Sequence, residues 1–200
     1  MSPVNTPCSS NTGIVLDLEF NRPLGEAIEI GAAAVRAHST GYVEFVGFFR
    51  QLVFPTSPID PEIQRLTGLR DFDFLDGRAV PGDLARVMLA EWVSATFSDI
   101  PSITVYGWGR WDLDWFEAGP SLSAPHETVD LKTAHAKARG SKHKLGLDRA
   151  LESCGLTFVG PRHRALWDAA NTARLLPFVL GFKPFASAWR LPERLRNRRS

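Results

Sequence analysis

Two acids stand one residue apart in an otherwise apolar run, Ile14-Val15-Leu16-Asp17-Leu18-Glu19-Phe20. Such a run reads as a buried strand, and residues at i and i+2 of a strand project from the same face. Asp17 and Glu19 are thus neighbours. Like charges side by side in an apolar setting need a compensating cation, and hard divalent ions with oxygen ligands supply one. The plainer alternative is an exposed strand end with two solvated acids. A further acid lies in the aromatic stretch from Tyr106 to Phe116. Asp112 precedes Phe116 by about one helical turn, so a helix here buries the ring and leaves the carboxylate at the mouth. Asp114, two positions on, faces nearly the opposite way and is the competing candidate. Taken alone, either acid also suits the positive end of a helix. A third segment runs His163-Arg164-Ala165-Leu166-Trp167-Asp168-Ala169. Asp168 borders an apolar stripe of Leu166, Ala169 and Ala170 and needs a partner there, while His163 follows the turn-forming pair Gly160-Pro161.

These residues need elements to bring them together. The strand holding Asp17 begins at Gly13. Ala27 to Val35 and Tyr42 to Val53 follow after turn signals at Arg22-Pro23-Leu24-Gly25 and Ser39-Thr40-Gly41, and the three read as an antiparallel meander. Pro61 to Leu66 reads as a short helix with Asp60 as N-cap and Gly68 closing it. Residues 70–81 read as a loop. Helical spacing of Leu84, Val87, Met88, Trp92 and Ala95 predicts a helix over Asp83 to Phe97. Ile103 to Tyr106 is another strand, and helices are expected over Arg110 to Ala118, Leu131 to Ala138, Leu145 to Cys154 and, as one long element, Ala165 to Leu180. Strands first and helices alternating later predict a single α/β domain with a mixed sheet.

Length and composition agree. Two hundred residues with 44% hydrophobic and 22% charged side chains are those of one soluble globular domain. The expected division is a flexible N-terminus over 1–12, the domain over 13–182 and a basic tail over 183–200. Two cysteines, Cys8 and Cys154, exclude a disulfide framework, so a reducing, cytoplasmic setting is expected. No apolar run is long enough for a membrane span, and no leader pattern opens the chain. The net charge of +1 decides nothing by itself. The tail, however, gathers Arg190, Arg194, Arg196, Arg198 and Arg199 against Glu193, which suits either phosphate binding or a solvated end.

Taken in order, the three acid-bearing segments resemble the DEDDh group of 3'→5' exonucleases on the ribonuclease H-like fold. Asp17-Leu18-Glu19 matches that family's first motif. Asp112 with Phe116 behind it matches the second, and His163, Ala165, Asp168 and Ala169 match His-x-Ala-x-x-Asp-Ala in full. Glu29-Ile30-Gly31 resembles the second strand, Leu66-Thr67-Gly68 the substrate-side turn, and Lys144-Leu145-Gly146-Leu147 the approach to the third motif. The likeness runs from about Gly13 to Leu180, and the Trp111-Asp112 pair is most similar to the Eri-like subgroup, which trims RNA 3' ends.

The resemblance implies a mixed sheet of three antiparallel strands with parallel additions, flanked by helices. It also implies that Asp17, Glu19, Asp112 and Asp168 hold two divalent cations, Mg²⁺ or Mn²⁺, and that His163 acts as general base. Leu18, Phe20, Leu66 and Thr67 would bind the terminal nucleotide. The expected reaction removes nucleoside 5'-monophosphates from the 3' end of a single-stranded nucleic acid, RNA favoured over DNA. Many relatives are homodimers, and the same is expected here. The rival readings are a DNA proofreading or repair exonuclease, an inactive nucleic-acid-binding module on the same fold, and a hydrolase of small phosphoesters.

Overall fold

A computed structural model describes residues 12–38, 42–119, 122 and 124–181. The N-terminal stretch 1–11, the turn signal at 39–41 and the basic tail 183–200 lie outside the described residues. The three leading strands are β1 (Thr12–Asn21), β2 (Glu26–Ala37) and β3 (Val43–Val53). Three shorter ones follow, β4 (Ala79–Val80), β5 (Ile103–Gly107) and β6 (His126–Asp130). They form one sheet in the order β4-β3-β2-β1-β5-β6. The pairs β1–β2 and β2–β3 are antiparallel, while β5 runs parallel to β1 and β6 parallel to β5. The expected mixed sheet is therefore present.

Seven helices are described: α1 (Pro61–Thr67), α2 (Gly82–Thr96), α3 (Arg110–Glu117), α4 (Leu131–Ala138), α5 (Leu147–Ser153), α6 (Ala165–Ala173) and α7 (Leu176–Val179). They cover both faces of the sheet. Alternation along β1 sends Ile14, Leu16 and Leu18 into one core with Leu89 and Val93 of α2 and Leu113 of α3. Val15 goes to the opposite core, with Ala173 of α6, Leu131 of α4 and Leu176 of α7. By the same period of two, Asp17 and Glu19 share the Val15 face, the side on which α6 lies.

α6 is seated unusually close to the sheet. A Cβ built on Gly31 of β2 would come within 2.1 Å of the Ala165 carbonyl carbon and the Leu166 nitrogen. Only glycine fits there, so backbone rests on backbone.

Three expectations need correcting. Residues 70–81 are not a plain loop: a 3-10 turn spans Asp71–Phe74, burying Phe74, and β4 then pairs with the end of β3. β6 was not expected, because His126-Glu127-Thr128-Val129-Asp130 is a polar edge strand without an apolar run. The helix expected from Ala165 to Leu180 breaks near Arg174, where the amides of Arg174 and Leu175 bond three residues back rather than four. Pro177 explains the break, since it has no N–H for the carbonyl of Ala173.

Candidate active site

β1 extends past the end of β5. Their pairing stops at Leu16 opposite Gly107, so beyond it β1 has no strand beside it on that side. α3 starts just beyond β5, and Asp112 in its first turn fills the gap: the Leu18 amide donates to Asp112 Oδ1 at 3.1 Å. Asp114 faces away, half-exposed, accepting from Arg110 at 2.5 Å. Of the two acids left open by sequence, Asp112 is the one that lies against β1.

On the α6 side, ligand atoms of Glu19, His163 and Asp168 all lie within 4.8 Å of one another. Asp168 sits on α6, and His163 is exposed on the loop just before it, in a left-handed conformation with φ 56°. Gly160 makes that loop possible, because a Cβ there would overlap the Trp167 ring at 2.2 Å.

The four carboxyls disfavour one another's charge. Burial pushes the Asp17 carboxyl well above its ordinary value, and Asp112, Asp168, Glu19 and Glu29 push it further. Glu19 rises to about 8, through burial first and then Asp168, Glu29 and Asp112, with Arg164 opposing. Asp112 rises to about 7 through burial, against the hydrogen bond from the Leu18 amide. Asp168 also reaches about 7, burial outweighing a backbone hydrogen bond at His163. Its Oδ1 is buried without a hydrogen-bond partner, and an orphaned buried carboxylate oxygen is costly unless a cation meets it. A hard, all-oxygen donor set with one unsatisfied oxygen fits divalent ions of the Mg²⁺ or Mn²⁺ kind.

Glu29 carried no role in the sequence reading, yet it is fully buried beside this cluster, opposite Glu19 in the β1–β2 pairing. Burial works to raise its pKa, but Arg164 and Arg50 hold it below the ordinary value. Arg50 Nε reaches it at 2.5 Å, Arg164 binds both its oxygens at 3.1 Å, and the Ala165 amide donates to Oε2 at 3.1 Å. Glu29 therefore fixes the start of α6, the element that carries Asp168. Its only signal in the sequence was an acid inside a strand otherwise buried on both faces.

The residues expected at the terminal nucleotide separate into two groups. The Leu18 side chain is in the core, and the Thr67 hydroxyl is occupied within α1, donating to Ile63 O and accepting from Leu69 N. Leu66 is partly buried against the cluster around Ile63. Phe20 is partly exposed and meets the edge of Trp111 at 6.4 Å between ring centroids. Trp111 itself is 76% exposed, next to Asp112.

A family model described as an exonuclease (RNase_T) matches residues 14–176. The chain belongs to this exonuclease family. Among solved structures, the domain is similar to the nuclease domain of 3'hExo bound to rAMP, a DEDDh family member. Identity is 17% over 92% of this chain and 96% of that one, with a TM-score of 0.70. It is also similar to a full-length 3'-exonuclease, at 18% identity and TM-score 0.69, covering 86% of this chain and 61% of that one. Cell-death related nuclease 4 (CRN-4) gives 15% identity and a TM-score of 0.70, over 86% and 64% of the two chains. The exonuclease domain thus spans about three fifths of the full-length 3'-exonuclease. At these identities the structural likeness establishes the ribonuclease H-like fold. No curated protein matches the chain. Among the described residues no helix is long and apolar enough to cross a membrane.

Proposed function

We propose that the protein is a metal-dependent 3'→5' exonuclease acting on single-stranded nucleic acid, with RNA preferred, and that it releases nucleoside 5'-monophosphates. The observation that carries this reading is the convergence of Asp17, Glu19, Asp112, Asp168 and His163, from three distant segments, at the C-terminal end of the central strand β1. The four carboxylates would hold Mg²⁺ or Mn²⁺. Such cations, when bound, supply charge neutralisation at the phosphate and an acidified water.

The chain's own groups do the rest. His163, exposed at the rim beside Glu19 and Asp168, takes the proton of the attacking water as general base. Asp112 is held on β1 by the Leu18 amide, close enough to Asp17 and Glu19 to disfavour their charge. Phe20 and the exposed Trp111 offer an aromatic surface for the terminal base, which any base can stack upon. The family resemblance also assigns Leu18, Leu66 and Thr67 to the terminal nucleotide, although the Leu18 side chain and the Thr67 hydroxyl are engaged within the fold. RNA preference rests on the likeness to the 3'hExo domain, solved with a ribonucleotide.

The test uses 5'-labelled RNA and DNA of one sequence with Mn²⁺, Mg²⁺ or EDTA, and Asp168→Ala as control. A metal-dependent ladder shortening from the 3' end, absent in the variant, is the expected result. Intact oligonucleotides throughout, with binding still measurable, would instead make the domain an inactive binding module. Shortening of the DNA alone would turn the reading to a DNA exonuclease.

A further inference from the structure

The segment from Leu131 to Leu147 carries Lys132, Lys137, Arg139, Lys142 and Lys144 and no acid. It forms α4 and the loop that returns from it. Gly140, with φ 66°, turns the chain back, and the loop is pinned by Ser141 N donating to Ala136 O at 2.9 Å. Between helix and loop lies an open hollow of about 430 Å³, lined by Lys137, Lys142 and Lys144 with Thr133 and Ser141. Among the described residues, Lys137, Arg139 and Lys142 have no ion-pair partner, and Lys144 reaches only Asp130, at 3.7 Å. A surface with this much uncompensated positive charge suits a polyanion.

The sheet fixes where the hollow lies relative to the carboxylates. β1, β5 and β6 are parallel, and Leu16, Gly107 and Asp130 stand level in the pairing. Asp130 is therefore two strand spacings, roughly 10 Å, from the start of the acidic pair. α4 starts at that same edge, with Asp130 capping it through Thr133 N at 3.1 Å. Lys144 reaches Asp130, so the Lys144 end of the hollow lies at the C-terminal margin of β1, β5 and β6, where the carboxylates also lie. At about 3.4 Å of axis per stacked nucleotide, roughly 10 Å corresponds to about three nucleotides, and to fewer in an extended strand.

We infer that this basic hollow holds the phosphodiester backbone of the substrate strand a few nucleotides 5' of the scissile bond. The inference rests on the exonuclease reading, which leaves one 3'-terminal nucleotide at the carboxylates and must send the remaining strand somewhere. It adds a distinct consequence: affinity depends on substrate length and salt, whereas chemistry on the last nucleotide does not depend on these lysines.

The experiment compares wild type with the triple variant Lys137→Gln, Lys142→Gln, Lys144→Gln on a 20-nucleotide strand and on a dinucleotide too short to reach the hollow. For single strands each lost phosphate contact lowers the slope of log affinity against log salt by about 0.7. The expected result is a slope smaller by about 2, a KM for the long strand raised about tenfold or more at low salt, and unchanged kcat and dinucleotide kinetics. An unchanged slope and KM would overturn the inference, as would an equal loss on both substrates, which would place the lysines in the field of the active site itself. If wild type cuts neither substrate, the exonuclease reading fails. Fluorescence anisotropy of the labelled 20-nucleotide strand in EDTA then decides the hollow independently, with weaker, less salt-dependent binding by the variant supporting it and equal binding refuting it.

Discussion

Replacing Asp168 with asparagine should make the metal-free protein more stable at neutral pH and less responsive to metal. Burial and its neighbours carry this carboxyl from an ordinary 3.8 to about 7 in the folded protein. A folded-state pKa above the unfolded one means that the native state holds a proton the unfolded chain has already released. Stability therefore falls as pH rises from about 4 to about 7, and stays low above that. The full penalty at pH 7.5 would be about 4 kcal/mol. The four carboxyls share this strain and relax together, so a working value is about 2 kcal/mol, or roughly 4–8 °C in Tm for a chain of this size. Thermal melts in EDTA should then show Asp168→Asn above wild type at pH 7.5 and level with it near pH 4.5. Saturating Mn²⁺ should reverse the order at pH 7.5, because metal at about a hundredfold its Kd adds about 2.7 kcal/mol to the protein that binds it. A variant less stable than wild type in EDTA at pH 7.5, or a difference independent of pH, would refute the claim that the carboxyls are held together against their own repulsion.

His163→Ala should lower kcat by about 10²–10⁴ while leaving KM nearly unchanged in steady-state assays, the pattern of a lost general base. Asp112→Asn should abolish turnover whereas Asp114→Asn, which removes only exposed pairing with Arg110, should change it less than twofold; the reverse outcome would exchange their roles. Glu29→Ala should lower Tm by roughly 6–12 °C, from the lower end of the about 3–5 kcal/mol expected on breaking a buried pair, since Arg50 and Arg164 both reach solvent. Glu29→Gln, which keeps an acceptor for the Ala165 amide, should recover part of that loss.

Spacing made part of the candidate site legible where its geometry depends on local periodicity, and the family resemblance supplied the full set. Asp17 and Glu19 obey the strand period, and Asp168 lies among residues whose apolar stripe marks a helix face. Asp60 and Gly68 declared the ends of α1 through their own side-chain and backbone preferences. What stayed hidden depends on the third dimension. The partner that fixes Glu29, Arg164, is 135 positions away, and nothing in either neighbourhood points to the other. β6 is set by pairing along one edge with β5 rather than by its own composition. The break before α7 needed Pro177 to outweigh a helical pattern that otherwise runs on without interruption. Thr67 looks available in the sequence only because its bond to Ile63 is invisible there.

The contact between Gly31 and the start of α6 has a consequence for how this protein tolerates change. Elsewhere two layers are held apart by side chains, so every gain or loss of a methyl in the core alters their separation. Under the first turn of α6 there is no spacer to vary. The height of Asp168 above Asp17 and Glu19 is set by peptide units, whose dimensions no mutation alters. Substitutions around Leu89 or Leu176 can be absorbed as shifts of α2 or α7 and need not reach the carboxylates. The same arrangement concentrates fragility in one position: Gly31→Ala would wedge the helix off the sheet and unseat the acid while sparing most of the core.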